Sequence, residues 1–286
     1  MRILIAGSGG QLGRALQACA PADAVVIAPL EADFDITDAE TVARVVAEAQ
    51  PELIINAAAY TAVDKAESDE TAARLVNVYA VGLLAAAARN AGAGFAHVST
   101  DFVFDGTAHI PYPPSATPNP LGAYGRTKAD GEAAAREFHG DPLIVRTAWV
   151  YAAAGNNFVK TMLRLMAERE TLSVVADQLG TPTHVPTLAR ALWQLTAAGR
   201  TGTFHATDAG VASWYDFAVA IREEAIAVGL PIRATLVLPI RTADYPTPAR
   251  RPAYGVLDKT ATWEITGPSM HWREELRICI KEIAHG

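Results

Sequence analysis

Cysteine is nearly absent. Cys19 and Cys279 are the only two in 286 residues and stand at opposite ends of the chain. They fit neither a disulfide framework nor a thiolate metal spacing, and such cysteine usage suits a cytoplasmic protein. Charge is sparse as well: Asp, Glu, Lys and Arg make 19% of the residues, with a balance of -7. The basic footprint of a nucleic-acid binder is missing, so no such partner is expected. The seven histidines are scattered, with no His-x-x-x-His pair, so no metal is expected. No apolar run reaches the roughly 18 residues of a membrane span, and the apolar part of "MRILIAGSGG" is too short for a signal peptide. No membrane partner is expected.

What remains is rich in core material, half of it hydrophobic. That suffices for one large α/β domain, or a large domain with a smaller lobe. Short apolar runs at Arg2–Ala6, Val25–Ala28, Leu53–Asn56, Phe95–Ser99 and Leu143–Thr147 read as strands. Helical patterns lie between them, near Gln11–Cys19, Ala39–Ala49, Glu70–Ala91 and Tyr124–Phe138. Continuous apolar strands alternating with helices imply a parallel sheet covered on both faces. After Trp149 the rhythm loosens into Pro-, Gly- and Thr-rich stretches. Shorter helices are expected there near Pro186–Ala198, Trp214–Val228 and Trp272–Ile283, with Ser213 and Asp216 as a capping pair for the middle one. The expected division is a dinucleotide-binding domain over residues 1–148 and a mainly substrate-binding lobe over 149–286, some of whose elements return to the main sheet.

"IAGSGGQLGRAL" follows the first strand and opens a helix. Gly7 and Gly10 allow a tight turn and close approach of a pyrophosphate. Gly13 lets the helix pack near the strand, and the helix N-terminus offers free N–H groups to the anion. The fold class is therefore α/β, a Rossmann-type doubly wound parallel sheet with a smaller C-terminal lobe. "DFDIT" can hold the adenine edge through Asp35 and Ile36. "NAAAYT" ends the third strand with Ala57, Ala58, Ala59, Tyr60 and Thr61, small enough at first for a flat ligand to lie on the backbone. The acids after the second strand, Glu31 and Asp33, suit NAD; Arg14 suits the 2'-phosphate of NADP. Both cofactors stay open.

"AYGRTK" places Tyr124 one helical turn before Lys128. A free tyrosine titrates near pH 10, and a nearby ammonium is expected to lower that value. Thr100 closes the fourth strand and reaches the same edge. Hydride from the cofactor and a proton from Tyr124, with Thr100 holding the oxygen, would reduce a carbonyl. Trp149 offers a flat apolar wall. Arg250 and Arg251, between prolines, suit a diphosphate, though they read equally well as a solvated basic pair.

These segments, with "STDFVFDG", "RTAWVYAAAGNNFVKTMLRL", "DQLGTPT", "SWYDFA" and "YPTPARRP", resemble the extended short-chain dehydrogenase/reductases, and within them the dTDP-4-dehydrorhamnose reductase family. The resemblance implies NADPH or NADH as cofactor and reduction of the C4 keto group of a dTDP-sugar. It implies that Gly10, Gln11 and Leu12 bind cofactor phosphates and that Asp35 and Ile36 meet the adenosine. It implies that Ala59, Tyr60 and Thr61 line the cofactor. Tyr124 would be the proton donor, Lys128 would orient it and the ribose, and Thr100, Asp101 and Trp149 would face the sugar. Some relatives join protomers through magnesium held by glutamates; Ala15 stands where one such acid would be, so a monomer or a homodimer built otherwise is expected. Related 4,6-dehydratases carry an acid after the Thr-Asp pair, where this chain has Phe102, so reduction is favoured over dehydration. Another sugar-nucleotide 4-reductase or epimerase is an alternative. So is a non-catalytic regulatory subunit of the kind that partners methionine adenosyltransferase, against which Thr100, Tyr124 and Lys128 together argue.

Overall fold

A computed structural model of the protein describes residues 1–285. The apolar runs form strands β1 (Arg2–Ala6), β2 (Val25–Ile27), β3 (Leu53–Asn56), β4 (Gly94–Thr100) and β5 (Leu143–Thr147). Every residue of β3 and β5 is buried, as befits parallel strands covered on both faces. A sixth strand, Gly202–His205, pairs with the outer edge of β5. Across the sheet the order is the sixth strand, β5, β4, β3, β1, β2, and all pairings are parallel. From β1 the chain steps to β2 on one side and to β3 on the other. Neighbouring connections diverge at that reversal and leave a crevice at the carboxyl edge.

Helix α1 (Gln11–Ala18) and helix Val185–Ala197 cover one face, where Leu12, Leu16, Leu188 and Leu192 meet Ile3, Ile5, Ile55 and Val145. Helix α2 (Ala39–Ala49) and the long helix over residues 70–90 cover the other, with Val42, Val46, Val81 and Leu84 on Leu4, Ile54 and Phe95. Residues 185–205 thus belong to the main sheet although they follow the smaller lobe's first elements. They shield an edge that would otherwise stay unpaired. The lobe has its own core, in which Tyr151, Met166, Phe217, Trp272 and Leu276 come together.

The long helix departs from a simple reading. Glu70–Arg74 and Ala80–Asn90 are α-helical, but Leu75–Tyr79 between them is a π-helix. By length and composition the stretch could cross a membrane; here Ala80, Val81, Leu84, Ala85 and Ala88 are buried against the sheet and its neighbours. The lobe helix Phe158–Glu168 was not anticipated, although Val159, Met162 and Met166 give it a buried stripe and Asn157 caps it. Ser213 and Asp216 do form a reciprocal capping box.

The helix Ala123–His139 is fixed to the sheet by a buried ion pair. Glu132 accepts from Arg146 Nε and Nη2 of β5, both at 2.7 Å, and from Ser99 Oγ of β4 at 2.6 Å. Burial would raise the Glu132 carboxyl, but the Arg146 hydrogen bond and charge, then Ser99, outweigh it and hold the group below its ordinary value. Its stabilising contribution is therefore full above the unfolded carboxyl value, near pH 4.3, and is lost as pH falls through the lower folded value. Removing one partner of such a pair costs about 3–5 kcal/mol. Glu132→Gln should lose that much in urea unfolding and flatten the acid side of the stability profile; an unchanged midpoint would show that the pair does not anchor the helix.

Candidate active site

The crevice begins at the glycine turn. Gly7 has φ +78°, and a Cβ there would stand 2.5 Å from the Ala58 nitrogen. Only glycine lets the turn lie so close to the end of β3. A Cβ on Gly13 would stand 2.2 Å from the Gly7 carbonyl oxygen, so this glycine serves packing and does not line the crevice. Gly10 caps α1 without a side-chain bond, leaving first-turn N–H groups available for an anion.

The crevice widens into a cleft of about 1260 Å³ along the carboxyl edge, above the roughly 300–1,000 Å³ of ordinary small-molecule pockets. Leu30, Phe34, Asp35 and Ile36 line one end. The Asp35 carboxylate is engaged by its own loop, accepting from Thr37 N at 2.8 Å and Thr37 Oγ1 at 2.7 Å. Gly7, Gly10, Gln11 and Leu12 line the middle, facing Ala57, Ala58, Ala59, Tyr60 and Thr61. Arg14 and Glu31 both border the cleft, so charge alone leaves the two cofactors open. The residues fit a dinucleotide: the turn holds a cradle that side chains would fill, and Thr147 Oγ1 and Tyr60 Oη are buried cleft-lining groups without a protein partner.

Thr100, Asp101, Tyr124, Lys128 and Trp149 meet at the other end. Thr100 ends β4, and Tyr124 and Lys128 lie on the helix fixed by Glu132. Tyr124 is 9% exposed and Lys128 2%. The expected lowering of the phenol does not occur. Burial, with Asp101 adding to it, drives the Tyr124 pKa up, against the Thr100 hydroxyl. Lys128 is directed elsewhere: its Nζ donates to the Val98 carbonyl at 2.7 Å, and burial lowers its own pKa to about 8 against the pull of Glu132. The result is a phenol kept protonated, the form that donates. Thr100 Oγ1 donates to Asp101 Oδ1 at 2.9 Å, and burial pushes the Asp101 carboxyl up to about 7.

Trp149 has φ +46°, uncommon for a bulky residue. Its indole stacks on Trp214, 3.6 Å between centroids and 10° between planes. On Gly180 a Cβ would stand 2.7 Å from it, so nothing larger fits there. A strained backbone and a two-sided clamp fix one indole orientation. Asp101, Phe102, Trp149, Gln178, Trp214, Arg251 and Gly255 border a smaller pocket beside it.

The two arginines part company. Arg251 lines both cavities and forms a bidentate pair with Asp64, Nη1 to Oδ1 at 3.0 Å and Nη2 to Oδ2 at 2.8 Å. Arg250 is exposed and borders neither cavity, unlike its neighbour.

Trp214, Gln178, Thr147 and Asn77 were missed. Trp214 reads as a helix start. Thr147 is paired in register with Thr100, a signal available only once the strands are ordered. Asn77 accepts from Tyr60 N at 2.9 Å and donates to Tyr60 O and to Thr127 Oγ1, each at 3.1 Å, joining the loop after β3 to the Tyr124 helix. Its polar side chain inside the apolar "LVNVY" was the visible clue.

Among the described residues, no group of three or more His, Cys, Asp or Glu could hold a metal ion. The family model described as the RmlD substrate binding domain matches residues 1–285. A dTDP-4-dehydrorhamnose reductase of Burkholderia thailandensis is 43% identical over 295 residues, covering 99% of each chain. One from Escherichia coli K12 is 42% identical over 261 residues, covering 88% of this chain and 87% of the other. The chain belongs to the dTDP-4-dehydrorhamnose reductase family. Among solved structures, the family member from Clostridium acetobutylicum superposes with a TM-score of 0.93 at 41% identity, covering 99% of each chain. The one from Bacillus anthracis, solved in complex with NADP, gives 0.92 at 36%, covering 98% of this chain and 99% of that one. A UDP-glucose 4-epimerase of Thermus thermophilus, 18% identical with a TM-score of 0.83, shares the fold.

Proposed function

We propose that this protein reduces the C4 keto group of dTDP-4-dehydro-L-rhamnose to dTDP-L-rhamnose, using NADPH or NADH, in the cytoplasm. The observation that carries the reading is the convergence of Thr100, Tyr124 and Lys128 at the end of a dinucleotide-sized cleft. Relatives across nearly the whole chain bear that enzyme's name, and one was solved with NADP.

The nicotinamide, when bound, supplies hydride to the keto carbon. Tyr124 delivers its phenolic proton to the keto oxygen, and its raised pKa keeps that proton in place at neutral pH. Thr100 turns its hydroxyl from Asp101 to donate to the same oxygen and fixes its distance from Tyr124. Lys128 meets the ribose beside the nicotinamide. Trp149, clamped by Trp214, forms the apolar wall for the deoxyhexose. Phe102 lies edge-on to Tyr124, 5.5 Å between centroids; it has no proton to exchange, which leaves the site equipped for reduction and not for dehydration. NADPH and NADH turnover with the keto sugar nucleotide tests the activity directly.

Tyr124→Phe should retain cofactor binding and lose at least about 100-fold in kcat, the scale of general acid catalysis. Full turnover in that variant would remove Tyr124 from the chemistry.

Arg251 is the cation placed to receive the diphosphate, exchanging part of its pairing with Asp64. Charged hydrogen bonds contribute roughly 1.5–3 kcal/mol, at about 1.4 kcal/mol per decade. Arg251→Ala should therefore raise the sugar-nucleotide KM some 10- to 100-fold, leaving the cofactor KM in place, and Arg250→Ala should change neither. Equal effects of the two substitutions would return Arg250 to the site.

The assembly is a monomer or a homodimer without a metal bridge, since Ala15 packs against the core and has no ligand oxygen. Sedimentation should give one mass with and without EDTA; a mass that halves on chelation would show that other acids replace the missing one.

A further inference from the structure

His97 sits on β4, wholly buried, behind the lysine of the site. Its ring is oriented by Asn56 at the end of β3. Asn56 Oδ1 accepts from the backbone N–H of Ala58 at 3.0 Å. A backbone N–H only donates, so this contact fixes which end of the amide is oxygen. The amide nitrogen therefore faces His97 Nδ1, at 3.1 Å, and donates to it. An imidazole whose Nδ1 accepts carries its proton on Nε2. That Nε2 stands 3.4 Å from Lys128 Nζ.

An ammonium has three donors and no acceptor; a neutral amine has a lone pair. Facing a fixed N–H, the charged lysine meets donor against donor, and the neutral lysine accepts. The Nζ also donates to the Val98 carbonyl at 2.7 Å, a bond either form can make. We propose that His97 is a positioning residue for Lys128: held as the Nε2–H tautomer by Asn56, it offers a proton donor to the amine, favours its neutral form and sets its direction.

The surroundings agree. His97 is driven well below its ordinary value by burial, then by Lys128 and Arg136, so it stays neutral. Lys128 is brought down to about 8 by burial, while Glu132, one turn along the same helix, pulls upward. Tyr124 one turn before it, Asp101 beyond Tyr124, and Arg146 paired with Glu132 are the charged or titratable neighbours on this side of the helix; Arg126, Asp130, Arg136, Glu137 and His139 lie elsewhere along it. A lysine poised near neutrality responds to a single neighbouring donor.

The inference rests on the proposed role of Lys128 only in its kinetic readout. Histidine 15N NMR of the wild-type protein should show His97 neutral with its proton on Nε2; an Nδ1–H tautomer or an imidazolium would overturn the proposal, and this measurement needs no variant to fold. His97→Asn keeps an oxygen for Asn56 and deletes the N–H that faces Lys128. The Lys128 midpoint, followed by NMR of 15N-lysine protein, should then rise by about one pH unit, the scale of one lost biasing hydrogen bond. His97→Gln, which restores an N–H near the Nε2 position, should return it toward the wild-type value. A midpoint unmoved in His97→Asn would sink the idea. Where catalysis requires the charged lysine, activity falls as pH rises through its midpoint, so the basic limb of kcat/KM should move upward by the same amount in His97→Asn. If the NMR midpoint moves and the limb does not, the inference stands and the catalytic role given to Lys128 fails.

Discussion

The site depends on one buried charge pair. Glu132 and Arg146 are 1% and 2% exposed in side chain, and isolating either in the interior would be costly. Their geometry offsets that cost. Arg146 spends both bonds of its fork on one carboxylate and a further N–H on the Pro114 carbonyl, and its guanidinium lies 5.0 Å from the centre of the Phe104 ring. Ser99 completes the carboxylate. Three elements meet here: β4, β5 and the helix of Tyr124. The carboxylate is one turn from Lys128, which is one turn from Tyr124. Fixing Glu132 therefore fixes the rotation of the helix, and with it the angle at which the phenol meets Thr100.

Close approach does the rest. A Cβ on Gly131 would stand 2.1 Å from the Asn77 carbonyl oxygen, so the Tyr124 helix and the π-helical turn touch backbone to backbone. The widened turn carries Asn77 inward, and Asn77 holds the loop after β3. The lobe is attached at two points along the cleft. Asn157 donates to Gln11 Oε1 at 3.0 Å over the glycine turn, and Arg251 pairs with Asp64 beyond β3. Substrate wall and cofactor cradle are thus joined by side-chain contacts as well as by the chain.

Much of this could be read from the residues, for a definite reason. In a parallel sheet every strand ends at the same edge, so knowing that Gly7 and Ala57 follow strand ends, that Thr100 closes one and that Tyr124 opens the next helix already brings them together. Local pattern carries the strands β1 to β5, most helices and the Ser213 box, but not the sixth strand Gly202–His205 or the strands of the lobe. What escaped depends on contacts far apart in sequence. Trp214 matters because it meets Trp149, 65 positions away, and that meeting follows from lobe packing. Arg250 and Arg251 are chemically alike, and only the path of the loop separates them. The direction of the Tyr124 shift turns on burial against charge, two opposing effects whose balance requires the depth of the side chain. A spacing of four residues gives proximity to Lys128 but not where its ammonium points.

Electrostatics gives the last constraint. The protein carries a balance of -7, and its ligands by the proposed function are anions. Yet two of the cleft's cations are already engaged: Lys128 is buried and donates to the Val98 carbonyl, and Arg251 is paired with Asp64. A cleft built this way meets phosphates chiefly with backbone N–H groups at the start of α1, whose partial charges are fixed in place and carry no counterion. Arg251 adds attraction only when a diphosphate offers more than Asp64 does. Binding is thereby tied to geometry: an anion of the wrong shape displaces nothing and gains little.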